Sequence, residues 1–352
     1  MAGTSLRARE HGIEIGLLPP GPLNAITDVP GLGVGHANHH PDHTGVTAVV
    51  PELGRDHWES PYFAGAASVY GVGEYAGITQ IEEWGAAESP VFLTGTPYVG
   101  HVYAGATGVL TTRQPMIGHP DGDVIIPVVA ECDPSEYCDV RIGPAPDEAL
   151  VTAALDGART GPVDEGQVGA GVGMSGFGWA GGIGTASRVA AGYTVGVLLL
   201  VNFGDPERLT VDGHHVGREL GRADAPPVEG SCFCLVATDA PLLPHQLERL
   251  ARRPFLGLAR TGSYASNGSG EVAIAFSTAN AAALRRDAEG PQAVQMLPTS
   301  RALSPLFAGV AEATEEAVLN ALFAGRDLHG ATGRLLPAAP AERIAAIVRG
   351  RR

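Results

Sequence analysis

DPERLTVDGHHVGRELGRADAPPVEG, residues 205–230, runs directly into SCFCLVATD, residues 231–239. The first stretch is polar and rich in Pro, Asp and Gly, the composition of a flexible connector. The second starts abruptly at Ser231 and reads as a buried strand. A serine opening a buried strand behind a glycine-ended linker suits intramolecular attack. Its hydroxyl adds to the carbonyl of Gly230, the acyl group shifts from nitrogen to oxygen, and water releases it. The product is a new N-terminal serine whose amine stands beside its own hydroxyl. An α-amine titrates near ~7.7–8 and can serve as base for that hydroxyl at neutral pH. Glycine at 230 tolerates the strained backbone such an attack requires. A Gly-Ser pair at a strand start is common, so on these residues alone an ordinary strand entry is the competing reading.

Outward from this junction, YTVGVLLLV (193–201) is the strongest strand in the chain and EVAIAFST (271–278) is another. Upstream lie short strands broken by glycine between Ala25 and Val50, then strands at Ala66–Tyr70, Pro90–Thr94 and Asp123–Ala130. Helices are predicted over Val99–Thr111, Pro146–Arg159, Pro241–Arg253, Leu303–Phe323 and Pro340–Arg349. In Pro241–Arg253, Leu243, Leu247, Leu250 and Ala251 share one face. Regular strand–helix alternation is missing, and several strands are apolar on both faces, so the sheets are covered on both sides. A layered α/β sandwich follows, with helices outside and sheets inside.

The chain has 352 residues, 44% of them hydrophobic, enough for one large core or two ordinary ones. Forty-nine glycines and 27 prolines imply many tight turns, but among apolar segments they do not signal disorder. The best apolar run, Tyr193 to Phe203, falls short of the about 18 residues a membrane span needs. The N-terminus lacks the apolar segment of a signal peptide, and the expected location is cytoplasmic. A net charge of −15 repels nucleic acid and anionic membrane and favours small neutral or cationic partners. All 23 basic residues are arginine. Without lysine there is no pyridoxal phosphate Schiff base, no Walker A lysine and no Ser–Lys dyad.

Other motifs carry less. Cys132, Cys138, Cys232 and Cys234 form no C-x-x-C and read as small buried hydrophobes. Gly171-Val-Gly173-Met-Ser-Gly176 matches G-x-G-x-x-G, but no apolar strand precedes it and no acid follows at ribose-binding distance. These glycines are read as sites of close backbone approach, and no cofactor is expected. His36, His39, His40 and His43, with Asp42, match no helical zinc spacing and read as structural or solvated. No G-x-S-x-G elbow occurs, against an ordinary α/β-hydrolase.

The segment NAITDVPGLGVGH (24–36) resembles the opening of the family of the L-aminopeptidase/D-amidase/D-esterase enzymes and the β-peptidyl aminopeptidases, peptidase family S58. TGVTAVVP (44–51), PVVAE (127–131), GQVGAGVGM with GGIGTASR (166–188), TVGVLLLVNFG (194–204), the stretch 230–253 and NGSGEVAIAFSTAN (267–280) continue the resemblance in order. It implies a four-layer αββα sandwich, like the N-terminal-nucleophile hydrolases with altered connectivity. It also implies a precursor cut into an α chain, 1–230, and a β chain, 231–352, both in one composite domain, and a homo-oligomer of αβ units. Residue by residue it aligns Ser231 with the nucleophile and Asn202 with an oxyanion-hole amide. Ser269 and Glu271 align with a pair that tunes the nucleophile and the new amine, and Glu131 with a carboxylate for the substrate's ammonium. After PVVAE the family continues with Thr, an aromatic residue and Asp, whereas this chain has Cys132-Asp133-Pro134. Tyr137, four positions after Asp133, is the candidate replacement for that aromatic through a loop shift; the alternative is a pocket for a different substrate. The TGTPYVG loop (94–100) also lacks the family's usual Asn. The expected activity is hydrolysis of small peptides, aminoacyl amides or esters. The alternatives are acyl transfer, as in the similarly folded ornithine acetyltransferases, and a catalytically silent or metal-dependent protein on the same fold.

Overall fold

Strand β10 (Tyr193–Asn202) is apolar at nearly every position, and its alternate residues leave in opposite directions. Val195, Val197, Leu199 and Val201 enter one hydrophobic core; Leu198 and Leu200 enter a second. Its neighbours β11 (Ser231–Thr238) and β12 (Gly270–Ser277) divide in the same way. Cys232, Cys234, Val236, Ala273 and Ala275 join the first core, and Phe233, Leu235, Ala237, Val272, Ile274 and Phe276 the second. Such a sheet needs cover on both faces, and the computed structural model supplies it. The model describes residues 7–39, 44–141, 145–221, 230–298, 301–331 and 333–351.

The six-stranded sheet runs β4 (Ala86–Ala87), β3 (Tyr62–Gly71), β12, β11, β10, β9 (Gly182–Ala190). Only the β11–β12 pair is parallel. Facing it is a four-stranded sheet in the order β1 (Gly33–Ala37), β2 (Val46–Val50), β5 (Val91–Gly95), β6 (Val128–Cys132). Val34, Val49, Leu93, Val128 and Ala130 of this sheet close the second core against the first sheet, with Ile81 of α1 (Ile78–Trp84). The outer face of the four-stranded sheet is covered by α2 (Val99–Arg113) and α3 (Glu148–Asp156), through Val102, Ala106, Val109, Val151 and Ala154. The outer face of the six-stranded sheet is covered by α5 (Pro244–Ala251), α6 (Pro254–Thr261), α7 (Leu303–Ala324) and α8 (Ala341–Arg349). The order of layers is helix, sheet, sheet, helix, as the resemblance implies.

The glycine-dense stretch forms a short turn at Gly169–Gly171 and a ribbon of β7 (Ser175–Gly176) with β8 (Trp179–Ala180) before entering β9. Gly182 has φ +106° and lies so close to Gly166 that a Cβ would stand 2.2 Å from its carbonyl oxygen. Two segments differ from expectation. The connector is packed in its first half: Leu209 and Val211, with Val216 and Leu220 of α4 (Val216–Leu220), are buried in the helix-side core. Its apolar residues are too regularly placed to stay in solvent; residues 222–229 lie outside the described residues. The strand expected from Asp123 begins only at Val128. Before it, the Ile126 amide donates to Glu88 Oε1 at 3.1 Å, the Val128 amide to Ser89 Oγ at 2.9 Å, and Pro127 has no amide to give. Side chains of the preceding segment take the place of a ladder partner.

Candidate active site

Ser231 opens β11, in register with Asn202 at the end of antiparallel β10 and with Gly270 at the start of parallel β12. The strand's alternation turns its side chain, like Phe233 and Leu235, toward the space between the sheets. Across that space, β6 of the facing sheet ends on Glu131 and Cys132. The Cys132 sulfur is within hydrogen-bonding reach of the Ser231 side chain, and burial pushes its thiol far above the ordinary range. Two strand ends from different sheets therefore meet at the serine.

Gly230 is pressed against β10. A Cβ at this position would stand 1.6 Å from the carbonyl oxygen of Asn202, so no other residue fits here without movement of the backbone. The Asn202 side chain accepts from the Ser175 amide at 2.9 Å and donates through Nδ2 to the Asp133 carbonyl at 2.8 Å. One Nδ2 hydrogen is left over, since a carboxamide nitrogen has two. Ser269 donates to Glu271 Oε1 at 2.5 Å, and Glu271 Oε2 is buried without a partner among the described residues. Burial raises the Glu271 carboxyl above its ordinary value.

Glu131 is 1% exposed. Oε1 accepts from the Glu74 amide at 3.1 Å and Oε2 from the Thr96 hydroxyl. Burial raises its carboxyl as well, opposed by those two hydrogen bonds. Asp133, the next acid along, is exposed and spends both oxygens on Ser135, at 2.9 and 2.8 Å.

The structure thus brings Ser231, Gly230, Asn202, Ser269, Glu271 and Glu131 to one end of the sandwich. Tyr137 packs in a small cluster with Ala180 and Leu336, and Ala180 pairs with Ser175, which bonds Asn202. A phenol that reaches this region is Tyr75, stacked on Phe233 with centroids 6.0 Å apart. Sequence reading had no means of finding it, because GVGEYAG has no periodicity and its partners are distant in the chain. Thr96 and Ser175 were missed for the same reason. Of the histidines, His36 is neutral, its pKa lowered by burial to about 4, and its Nδ1 lies 2.9 Å from Thr47 Oγ1. His39 ends the described part of that loop; His40, Asp42 and His43 lie outside the described residues. Among the described residues, no group of three or more His, Cys, Asp or Glu is arranged to hold a metal.

Comparison with known proteins shows the family and the fold. The model of peptidase family S58 matches residues 24–336. The β-peptidyl aminopeptidase BapA of Sphingosinicella xenopeptidilytica is 38% identical over 382 residues, covering 98% of this chain and 91% of that protein. Among solved structures, the PH0078 protein from Pyrococcus horikoshii OT3 superposes with a TM-score of 0.92 at 40% identity, covering 98% of this chain and 99% of the other. The L-aminopeptidase D-Ala-esterase/amidase from Ochrobactrum anthropi, described as a prototype of the serine aminopeptidases and a variant of the N-terminal-nucleophile hydrolase fold, gives 0.89 at 36% identity and covers 98% of each chain. The chain belongs to peptidase family S58 and is a hydrolase, a serine-type aminopeptidase or amidase on this variant of the N-terminal-nucleophile fold.

Proposed function

We propose that the chain cuts itself between Gly230 and Ser231, and that the freed Ser231 then hydrolyses peptides, amides or esters with release of their N-terminal residue. The observation that carries this reading is the buried Glu271 Oε2, without a partner among the described residues, one position beyond Gly270, the register partner of Ser231. Among the described residues eight buried side-chain polar atoms lack a hydrogen bond, and Glu271 Oε2 and the Tyr75 and Ser175 hydroxyls are three of them. Each such group costs about 1–3 kcal/mol, which a folded protein tolerates where a reacting group supplies the missing partner.

In the proposed reaction, the α-amine of Ser231 takes the hydroxyl proton as Oγ attacks the substrate carbonyl. The proton passes to the departing amine or alcohol, and water then hydrolyses the acyl-enzyme to regenerate the serine. The free Nδ2 hydrogen of Asn202 serves the tetrahedral oxyanion, a contact worth roughly 3–4 kcal/mol in comparable sites. Glu271 Oε2, steadied through Oε1 by Ser269, accepts from the new amine. Glu131 pairs with the substrate's ammonium, which accounts for action at free N-termini. Fragments 1–230 and 231–352 stay together as one composite domain, because β11 and β12 of the second fragment pair with β10 and β3 of the first. Buried thiols at Cys132, Cys232 and Cys234 accord with a reducing compartment and a cytoplasmic site of action, and the family resemblance supports a homo-oligomer of αβ units.

Gel electrophoresis with N-terminal sequencing tests the reading. Wild type should give two bands, the smaller beginning Ser-Cys-Phe-Cys, and Ser231→Ala one inactive chain of 36.1 kDa. A wild type that is fully active as a single chain rules the mechanism out.

A further inference from the structure

Tyr75 is a side chain at this site to which neither the family alignment nor the reaction gives a role. It follows an exposed loop, residues 71–74, and its ring is half-buried. The ring lies nearly parallel to Phe233, at 24°, on the face of β11 from which Ser231 projects. Its hydroxyl end points inward. A Cβ placed on Gly73 would meet Glu131 Oε1 at 2.3 Å and the Tyr75 hydroxyl at 3.2 Å, so these two oxygens flank a single point. The same hydroxyl lies 3.4 Å from where a Cβ would stand on Gly270, the register partner of Ser231. The hydroxyl end of the ring therefore lies between the Glu131 carboxylate and the start of β12, the strand paired with β11 at Ser231. Among the described residues its hydroxyl has no hydrogen-bond partner.

We propose that Tyr75 sets the size of the residue the enzyme removes: its ring walls the pocket between Glu131 and Ser231 and restricts the substrate's first residue to short ones such as glycine, alanine and β-alanine. The inference rests on the reading of Ser231 and Glu131 given above. If the ammonium is held by Glu131 and the carbonyl is attacked by Ser231, the atoms between them, and any side chain they bear, must lie against this ring. Rings packed on a neighbouring aromatic yield poorly to added bulk. Each methylene that a closed pocket rejects or admits changes specificity by about 10- to 200-fold.

The test compares kcat/KM for p-nitroanilides of glycine, alanine, β-alanine, leucine and phenylalanine across wild type, Tyr75→Phe, Tyr75→Leu and Tyr75→Ala. Wild type should favour the three short residues. Tyr75→Ala should raise the leucyl-to-alanyl ratio by about 10- to 200-fold, and Tyr75→Phe, which keeps the ring, should leave it where it was. Tyr75→Leu retains apolar contact with Phe233 and should move the ratio in the same direction as alanine, which covers the case of a poorly folded Tyr75→Ala. An unchanged ratio in whichever of these two variants folds and still turns over the alanyl amide overturns the proposal, as does a wild type that already favours leucine. A wild type that cuts itself at Ser231 yet hydrolyses no aminoacyl amide overturns the hydrolytic reading itself, and the pocket with it.

Discussion

Glu131 is the residue whose chemistry is most exposed to test. Its carboxylate is almost fully buried and held by Thr96 and the Glu74 amide, with lone pairs left for a cation. Glu131→Gln keeps the shape and removes the charge. A charge-assisted hydrogen bond is worth ~1.5–3 kcal/mol, so kcat/KM on aminoacyl amides should fall about 10- to 150-fold. Self-cleavage should survive, because that step has no substrate ammonium. Asp133→Asn should leave the preference for free over acetylated amines unchanged, since both oxygens of Asp133 hold Ser135. If neither substitution alters that preference, the ammonium is bound elsewhere. The pH profile tests the nucleophile's base. Burial raises Glu131 and Glu271 above the ordinary carboxylate range, and both act ionised. The Ser231 α-amine must be unprotonated to take the hydroxyl proton, so the acid limb of kcat/KM should lie near its ~7.7–8, above both carboxylates. A limb in the ordinary carboxylate range contradicts this. His36, neutral and bonded to Thr47, is placed as a strand residue, and EDTA should leave turnover unchanged. Activity lost to the chelator and restored by zinc or manganese would reverse that assignment.

Strands β10 and β11 act as one element, with Gly230 at the junction. Their register sets Ser231 opposite Asn202 and presses Gly230 on the Asn202 carbonyl. In Gly230→Ala a methyl would meet that oxygen at 1.6 Å, and backbone on both sides would have to move. Displacements of this kind cost about 1–3 kcal/mol. They fall on the bond to be cut, so self-cleavage should slow by at least about tenfold, the equivalent of 1.4 kcal/mol. Time-resolved electrophoresis of freshly expressed protein measures this. Cleavage at the wild-type rate shows that the close contact is not needed for attack.

Across the whole molecule, the sandwich is tied to its N-terminal segment by ions buried under α7. Arg188 of β9 is fully buried, donates to Glu316 at 2.6 Å and to the Ile15 carbonyl at 2.7 Å, and lies 3.4 Å from Glu312. Arg9 completes the set on Glu316 at 2.8 Å. Removing Arg188 leaves Glu316 to Arg9 and Asn24 and leaves Glu312 to the Leu17 and Leu18 amides, so the loss falls at the lower end of the about 3–5 kcal/mol that breaking a buried pair costs. Arg188→Met should lower unfolding stability by that amount, measured by urea denaturation in a Ser231→Ala background, where one uncut chain unfolds. A loss below about 1 kcal/mol, the value of an exposed pair, contradicts the reading. The substitution is remote from Ser231, so residual activity per folded molecule should be close to that of wild type.

Much of the architecture was legible in the chain before folding. YTVGVLLLV is apolar at successive positions and so demands cover on both faces; that alone calls for layers on either side of the sheet. The abrupt passage from a polar linker to SCFCLVATD marks Ser231, because burial begins at a definite residue. Family segments in order extend this to Asn202, Glu131, Ser269 and Glu271. Other features were settled only by folding. The connector's first half packs because Leu209, Val211, Val216 and Leu220 find a core made by distant helices. The strand expected from Asp123 starts late because Glu88 and Ser89 capture its amides. Tyr75 stacks on Phe233 beneath Ser231, and Tyr137, nearer Glu131 in the chain, packs with Ala180 and Leu336. Alternation and composition act between residues a few positions apart, and strands and layers can be read from them. Which side chain faces Ser231 across the sandwich depends on how two sheets, distant in the chain, stack on one another, and no local pattern encodes that.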